Sequence, residues 1–470
     1  MKANMLAYIT KSPHIYRQIF ATMAASMLTL STGIVFGSTA VLLPQLKTDK
    51  NYPYDKAFES WIAAISPLAM IVGCIFSGAI SDGIGRKSGQ LSIISPFIIG
   101  WCIMGFANNN TLMLIGRFIT GLCAGASRSS SLVYIGEIVN PKFRAAALYV
   151  PSLAVQLGVL ISHVGGKYVH WKITCFLSTI PNILALLVLL FLYESPLWLL
   201  SKGKIDKGKE SFILYRGNDE SSEKELTLIL KRCSEKLNRT SFIDIMNLIF
   251  SKAFTRSLLT IFFLFVAVQW SGINTLAFYA QDIFERTFAG GVDAYLLMIA
   301  MDCLRIIAAA IMCILVKILP RRVTFTIACF ISSFSLIALT IYLYIQPVGL
   351  IWVAVTCMLV YIGTTTILPS IAWSFVIEIF PSQIRGFGSG LSSATSFILL
   401  FVSVIVTPEI RENYGETSMF ISFAVVTLVT GVLLYFLIPD TNGKTLQAIE
   451  DVLYKKEKNV QSNNNIVVHL

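Results

Sequence analysis

The chain has 470 residues, of which 55% are apolar and only 13% charged, with a mean hydropathy of +0.71. Soluble domains carry about one quarter charged residues; here the charges are confined to short stretches between apolar runs of about 20 residues, each able to cross a hydrocarbon core as a helix, which excludes a water-soluble globular protein. The net charge of +11 comes with no basic stripe interleaved with aromatics, so it implies cytoplasmic loops rich in Lys and Arg rather than nucleic acid.

The polar N-terminus, Met1 to Arg17, has no small-residue cleavage site and is not read as a secretory signal; the first span is expected to direct insertion. Twelve spans are predicted, at 18–42, 58–80, 89–106, 112–136, 145–167, 171–192, 256–281, 293–316, 323–345, 348–377, 387–408 and 417–438. Helices satisfy their own backbone groups in lipid, and the alternation of a barrel strand is absent. The predicted class is therefore an all-α membrane protein.

An even number of spans puts both termini on one side. Placing them in the cytoplasm gathers Arg86, Lys87, Lys142, Arg144, Lys317, Arg321, Arg322 and Arg385 there with the long central loop. It leaves Lys47, Lys50, Lys56, Lys167, Lys172, Arg286 and Arg411 outside, so the charge bias selects cytoplasmic termini.

Residues 193–255 are the one long polar segment, with mixed charges and helix formers, and read as short solvated helices linking two halves. The predicted organisation is an N-terminal six-helix half (1–192), a cytoplasmic linker (193–255), a C-terminal six-helix half (256–440) and a cytoplasmic tail (441–470). A repeat supports the halves. Glu137 and Arg144 close the fourth span and Glu378 and Arg385 close the tenth, each pair seven apart and the two offset by 241 residues (378 − 137 and 385 − 144). Repeated halves with a solute site between them are characteristic of secondary transporters.

Nine scattered cysteines and four dispersed histidines form no CxxC, metal spacing, triad or phosphate loop, so no disulfide framework, metal, cofactor or enzyme activity is expected. Asn109-Asn110-Thr111 is a glycosylation sequon on the predicted outer side, in a loop too tight for efficient modification.

The ordered motifs are more specific. Asp82-Gly83-Ile84-Gly85-Arg86-Lys87 fills the loop between the second and third spans. It is followed by Gly116-Arg117-Phe118, Glu137…Arg144, Glu194-Ser195-Pro196, Gln269-x-Ser271-Gly272-Ile273-Asn274, Glu378…Arg385 and Pro439 to Leu446. This set resembles the sugar porter family of the major facilitator superfamily over about residues 18–450, and most resembles its arthropod trehalose and glucose facilitators.

The resemblance implies two six-helix bundles around a central cavity, in the plasma membrane, carrying a hexose or trehalose-like sugar by alternating access. It places Gln156, Gln269, Asn274 and Trp373 at sugar-binding positions and Tyr279 at an outer lid. Amides offer donors and acceptors to vicinal hydroxyls, and an indole stacks on a pyranose face. Gln269 and Asn274 lie about 140° apart on a regular helix; they converge only if the helix bends, which Gly272 permits. Asp82, Arg86, Glu137, Arg144, Glu194, Arg322, Glu378 and Arg385 sit at cytoplasmic helix ends, where opposite charges are expected to close an inner gate between the halves.

Several positions depart from the family. The first of its paired seventh-span glutamines is Val268, its Gly-Pro-x-Pro-Trp is Pro369-Ser370-Ile371-Ala372-Trp373, and its Asn-Trp is Ser396-Phe397. The eighth-to-ninth loop, Lys317 to Arg322, lacks the usual acid and glycine, and Tyr193 replaces a proline. Arg305 stands where the family has a sugar-binding amide, one turn from Asp302, and Arg128 stands where it has a small residue. Arg305 is accordingly expected to reach the solute and to favour an anionic sugar-sized substrate over a neutral hexose. The alternative is a neutralising pair with Asp302. The first span has no carboxylate between Gln18 and Gln45, which favours facilitated diffusion over proton symport. A non-transporting sugar sensor is disfavoured by the short tail after Asp440.

Overall fold

The computed structural model describes residues 13–55, 58–237, 246, 250–288, 292–315, 319–345, 350–380 and 385–438. Every regular element among them is a helix. Lys317 and the motif from Pro439 to Leu446, with the rest of the tail, lie outside the described residues.

The N-terminal half comprises α1 (Pro13–Thr48), α2 (Glu59–Ile84), α3 (Arg86–Gly105), α4 (Asn110–Ile138) and α5 (Pro141–Tyr168). Its sixth span, predicted as one run, is two helices, α6 (Trp171–Leu177) and α7 (Ile180–Leu190), the second opening with Pro181 in its first turn, where a missing N–H costs nothing. The linker contributes α8 (Pro196–Ser201), α9 (Ile205–Arg216) and α10 (Glu220–Leu237). The C-terminal half comprises α11 (Lys252–Gln269), α12 (Ile273–Phe288), α13 (Ala294–Leu315), α14 (Arg321–Ile345), α15 (Ile351–Thr365), α16 (Ile367–Glu378) and α17 (Arg385–Leu437).

Nine helices among the described residues are long and apolar enough to cross a membrane by composition alone. Two more, α4 and α5, are 29 and 28 residues long and carry Arg117, Arg128, Gln156 and His163 on their inward faces. The 53-residue α17 crosses twice, turning at Gly415, whose φ of 83° ends the first pass. The loop expected at 409–416 is thus mostly helix.

Glycines set how closely the N-terminal helices pack. A Cβ at Gly73 would lie 1.9 Å from the carbonyl oxygen of Leu122, and one at Gly121 would lie 2.5 Å from that of Ser66, so α2 and α4 meet backbone to backbone. Gly33 and Gly158 do the same for α1 and α5. Between apolar helices in lipid, close approach of small residues supplies the packing energy that burial supplies in water. The halves meet through α1 against α12, α5 against α13 and α2 against α17.

This packing makes a contrast measurable. Gly121→Ala should destabilise the purified protein by about 1–3 kcal/mol, because backbone on the facing helix cannot yield. Gly136→Ala, where the added methyl meets nothing within 4 Å, should leave the melting temperature unchanged or slightly higher. Thermal unfolding in detergent reads both.

Candidate functional site

The site begins with Arg117 on α4. Its guanidinium, fully buried, donates to the carbonyls of Ile62 (3.0 Å) and Val35 (3.3 Å) and to the hydroxyls of Ser38 (2.9 Å) and Thr39. It fastens α1, α2 and α4 with neutral partners only. Arg128, eleven residues on and so on nearly the same face, points between the halves. Its guanidinium carbon lies 4.8 Å from the centre of the Trp373 ring on α16, and Nη2 donates to Ser152 Oγ at 3.1 Å. Nη1 is buried without a hydrogen-bond partner.

Arg128 lines a cavity of about 40 Å³ together with Gln156, Gln269, Asn274 and Trp373. That is room for a few water molecules. The sequence-predicted amides and indole thus converge from α5, α11, α12 and α16. The chain breaks between α11 and α12 at Trp270–Gly272, with Gly272 at φ 83° where a Cβ would strike Phe423 at 2.5 Å. This break rotates Asn274 back onto Gln269: Asn274 Nδ2 donates to Gln269 Oε1 at 2.7 Å, and Gln269 Nε2 donates to Ser396 Oγ at 3.0 Å. Gln156 makes no hydrogen bond among the described residues, so its amide is available to a solute. Trp373 is braced edge-on by Phe265 (5.0 Å between ring centres) and by Phe397.

At the end away from the linker, the halves touch directly. Phe36 packs on Phe278 at 5.5 Å, Lys167 Nζ lies 3.8 Å from the centre of the Tyr295 ring, and Tyr295 donates to the His163 carbonyl at 3.3 Å. His163 Nδ1 is 2.5 Å from Asp302 Oδ2, and Nε2 is 3.4 Å from the Ala277 carbonyl. Tyr279, the expected lid, is buried with non-helical torsions (φ −129°, ψ 19°), its hydroxyl donating to the Val404 carbonyl at 3.3 Å.

Arg305 is absent from the cavity wall. It donates to Asp302 Oδ1 at 3.3 Å and to the Ile273 carbonyl at 3.2 Å, both groups buried. Arg305, expected to reach the solute, is thus held away from this cavity, in the pair with Asp302 that was the alternative. The i to i+3 carboxylate holds it against the broken seventh span, and Arg128 is the guanidinium that faces the cavity.

At the linker end, Arg86 pairs with Asp82 and with Glu137 (3.1 Å), and Glu137 also accepts from Ser195 Oγ. Glu194 takes a different part from the gate charge expected of it. It accepts from the backbone N–H groups of Lys87 (2.8 Å) and Ser88 (3.2 Å), capping α3 where the helix dipole favours an anion. Gly85 makes room: its φ is 118°, and a Cβ there would lie 2.3 Å from Glu194 Oε2. Below this cluster Arg216 ties α9 to the Ile138 and Glu137 carbonyls and to Glu225 (3.0 Å). Burial pulls the Arg216 pKa down, opposed by the Glu225 carboxylate. Arg322 lies 4.2 Å from the centre of the Tyr435 ring within the C-terminal half. Arg144 sits half-buried in the first turn of α5. The side chains of Glu378 and Arg385 lie outside the described residues, and with them the expected cross-half pairs.

Sequence reasoning singled out Arg128 but not its partner, because Trp373 is 245 residues away (373 − 128). Ser396, which departs from the family's asparagine, anchors Gln269.

A family profile described as "Sugar (and other) transporter" matches residues 18–453. The chain is 28% identical to a facilitated trehalose transporter of Polypedilum vanderplanki over 98% of this chain and 93% of that protein. It is equally identical to the longer one of Anopheles gambiae, covering 97% of this chain and 58% of that protein. Among solved structures, the proton:xylose symporter XylE bound to 6-bromo-6-deoxy-D-glucose superposes with a TM-score of 0.81 at 18% identity, covering 93% of this chain and 99% of that one. The fold is accordingly the twelve-helix major facilitator fold, and the chain belongs to the sugar (and other) transporter family.

Proposed function

We propose that the protein is a facilitative carrier of a sugar, hexose or trehalose-like, working by alternating access in the plasma membrane with both termini cytoplasmic. The observation that carries this reading is the convergence of Gln156, Gln269, Asn274 and Trp373 on one cavity between the halves. Paired amides suit vicinal hydroxyls, and a braced indole suits a sugar ring. In alternating access the halves part to admit the solute. The relatives named as facilitated trehalose transporters and the absence of a carboxylate in the first span, Gln18 to Gln45, support diffusion without a driving ion.

In this reading the far-end contacts around His163 and Asp302 separate when the outer side opens. The clusters around Glu137 and Arg144, with Glu378 and Arg385 opposite, close and release the inner side.

Three measurements test it. Gln156→Ala should raise the KM for the transported sugar about tenfold, the effect of losing one good hydrogen bond, about 1.4 kcal/mol, at unchanged surface expression. Unchanged kinetics would remove Gln156 from the binding site. Arg144→Ala and Glu378→Ala should each reach the cell surface and slow uptake; wild-type rates in both would argue against a gate there. Asp302→Asn, which strands Arg305 in a buried setting, should cost about 3–5 kcal/mol of stability. Asp302→Asn with Arg305→Gln should recover part of that loss, read as melting temperature in detergent.

A further inference from the structure

The cavity contains a charge that a neutral sugar leaves unanswered. Four guanidinium groups lie buried in the described spans, and three are accounted for. Arg411, beside the turn of α17, has Asp282 at 2.7 Å. Arg117 donates four hydrogen bonds to carbonyls and hydroxyls on α1 and α2. Arg305 has Asp302 at 3.3 Å. Arg128 has neither. Among the described residues no carboxylate pairs with it, its one hydrogen bond is to Ser152, and Nη1 has no partner although the side chain is only 5% exposed. It rests on the face of Trp373, at 4.8 Å, on the wall where Gln156 also stands.

A guanidinium cannot shed its charge at neutral pH. Buried between helices beside a cavity with room for only a few waters, it is costly unless the function supplies a partner. The Trp373 face is a partial substitute, since the ring quadrupole attracts a cation but satisfies no N–H. A neutral sugar seated against Trp373 would displace Arg128 from the ring and offer it only hydroxyls. A carboxylate would give it two parallel charge-assisted hydrogen bonds, the geometry for which the guanidinium fork is suited.

Resting on the sugar-carrier reading above, we propose that the solute is a sugar acid. Its carboxylate pairs with the Nη1 and Nη2 side of Arg128 while its ring takes the place on Trp373 that Arg128 vacates. Arg128 then guards the indole in the empty carrier and discriminates against neutral hexoses in the loaded one.

The test is uptake by the full chain in oocytes, with surface expression measured in parallel, of radiolabelled glucuronate, glucose and trehalose. Wild type should take up glucuronate in preference to both neutral sugars. Arg128→Gln, which keeps the shape and removes the charge, should lose glucuronate uptake at least about tenfold and gain glucose uptake. Arg128→Lys, keeping charge but not the fork, should retain glucuronate uptake with a raised KM. Neutral-sugar uptake alone, unchanged in Arg128→Gln, would overturn the sugar-acid assignment and leave the sugar-carrier reading standing. Neutral-sugar uptake that depends on bath chloride in wild type and not in Arg128→Gln would also overturn it, making chloride the partner of Arg128. No uptake of any of the three by wild type present at the surface would overturn both readings.

Discussion

A guanidinium in the middle of a helical membrane protein carries five donors and a permanent charge into a medium that offers no water. Much of this structure can be read from how three such groups are answered. Arg117 is met by α1 and α2, whose carbonyls and hydroxyls converge on it, and that convergence holds the N-terminal half together around α4. Arg305 is met by Asp302 one turn away and by the Ile273 carbonyl at the start of α12. Arg128 is met only in part, by an indole and a serine. The incompletely satisfied group is the one that faces the cavity.

The same economy of polar groups shapes the helix breaks. The gap between α11 and α12 leaves backbone carbonyls exposed, which only a protein-lined cavity tolerates. Tyr361 donates to the Ser271 carbonyl, Ser403 to that of Gln269, and Arg305 to that of Ile273. The break in turn aims Gln269 and Asn274 at one point. A regular helix would have separated them by about 140°. Local irregularity is therefore the means by which two amides five residues apart share a site.

The two ends of the molecule are built differently. The linker end is a web of charges and caps in which Glu137, Glu194, Arg86 and Arg216 bind the short linker helices to the N-terminal half. The far end joins the halves through aromatic rings and the buried His163–Asp302 contact. A web of charges and polar caps is tolerant of water entry, whereas a packed aromatic seal excludes it, so each end suits a different step of a cycle in which access alternates.

The sequence by itself determined the class, the number of crossings and four of the twelve residues that line the cavity. Apolar runs of membrane-spanning length, the repeat at 241 residues and the ordered motifs are one-dimensional signals, because helix length and hydropathy are set locally. Gln156, Gln269, Asn274 and Trp373 were legible through the family resemblance, which sets them at sugar-binding positions. The sequence did not determine which arginine faces the cavity. Arg305 and Asp302 are near neighbours along one helix, so their pairing was a readable alternative, but choosing it required knowing which way α13 faces. Arg128 and Trp373 come from opposite halves, and only the packing of α4 and α16 about the cavity brings them within 4.8 Å. Glu194 read as a gate charge until the fold set it over the first turn of α3. Spacing along a helix fixes which residues share a face; what that face meets is decided by how the helices pack, and the uncompensated charge in the cavity is a property of that packing.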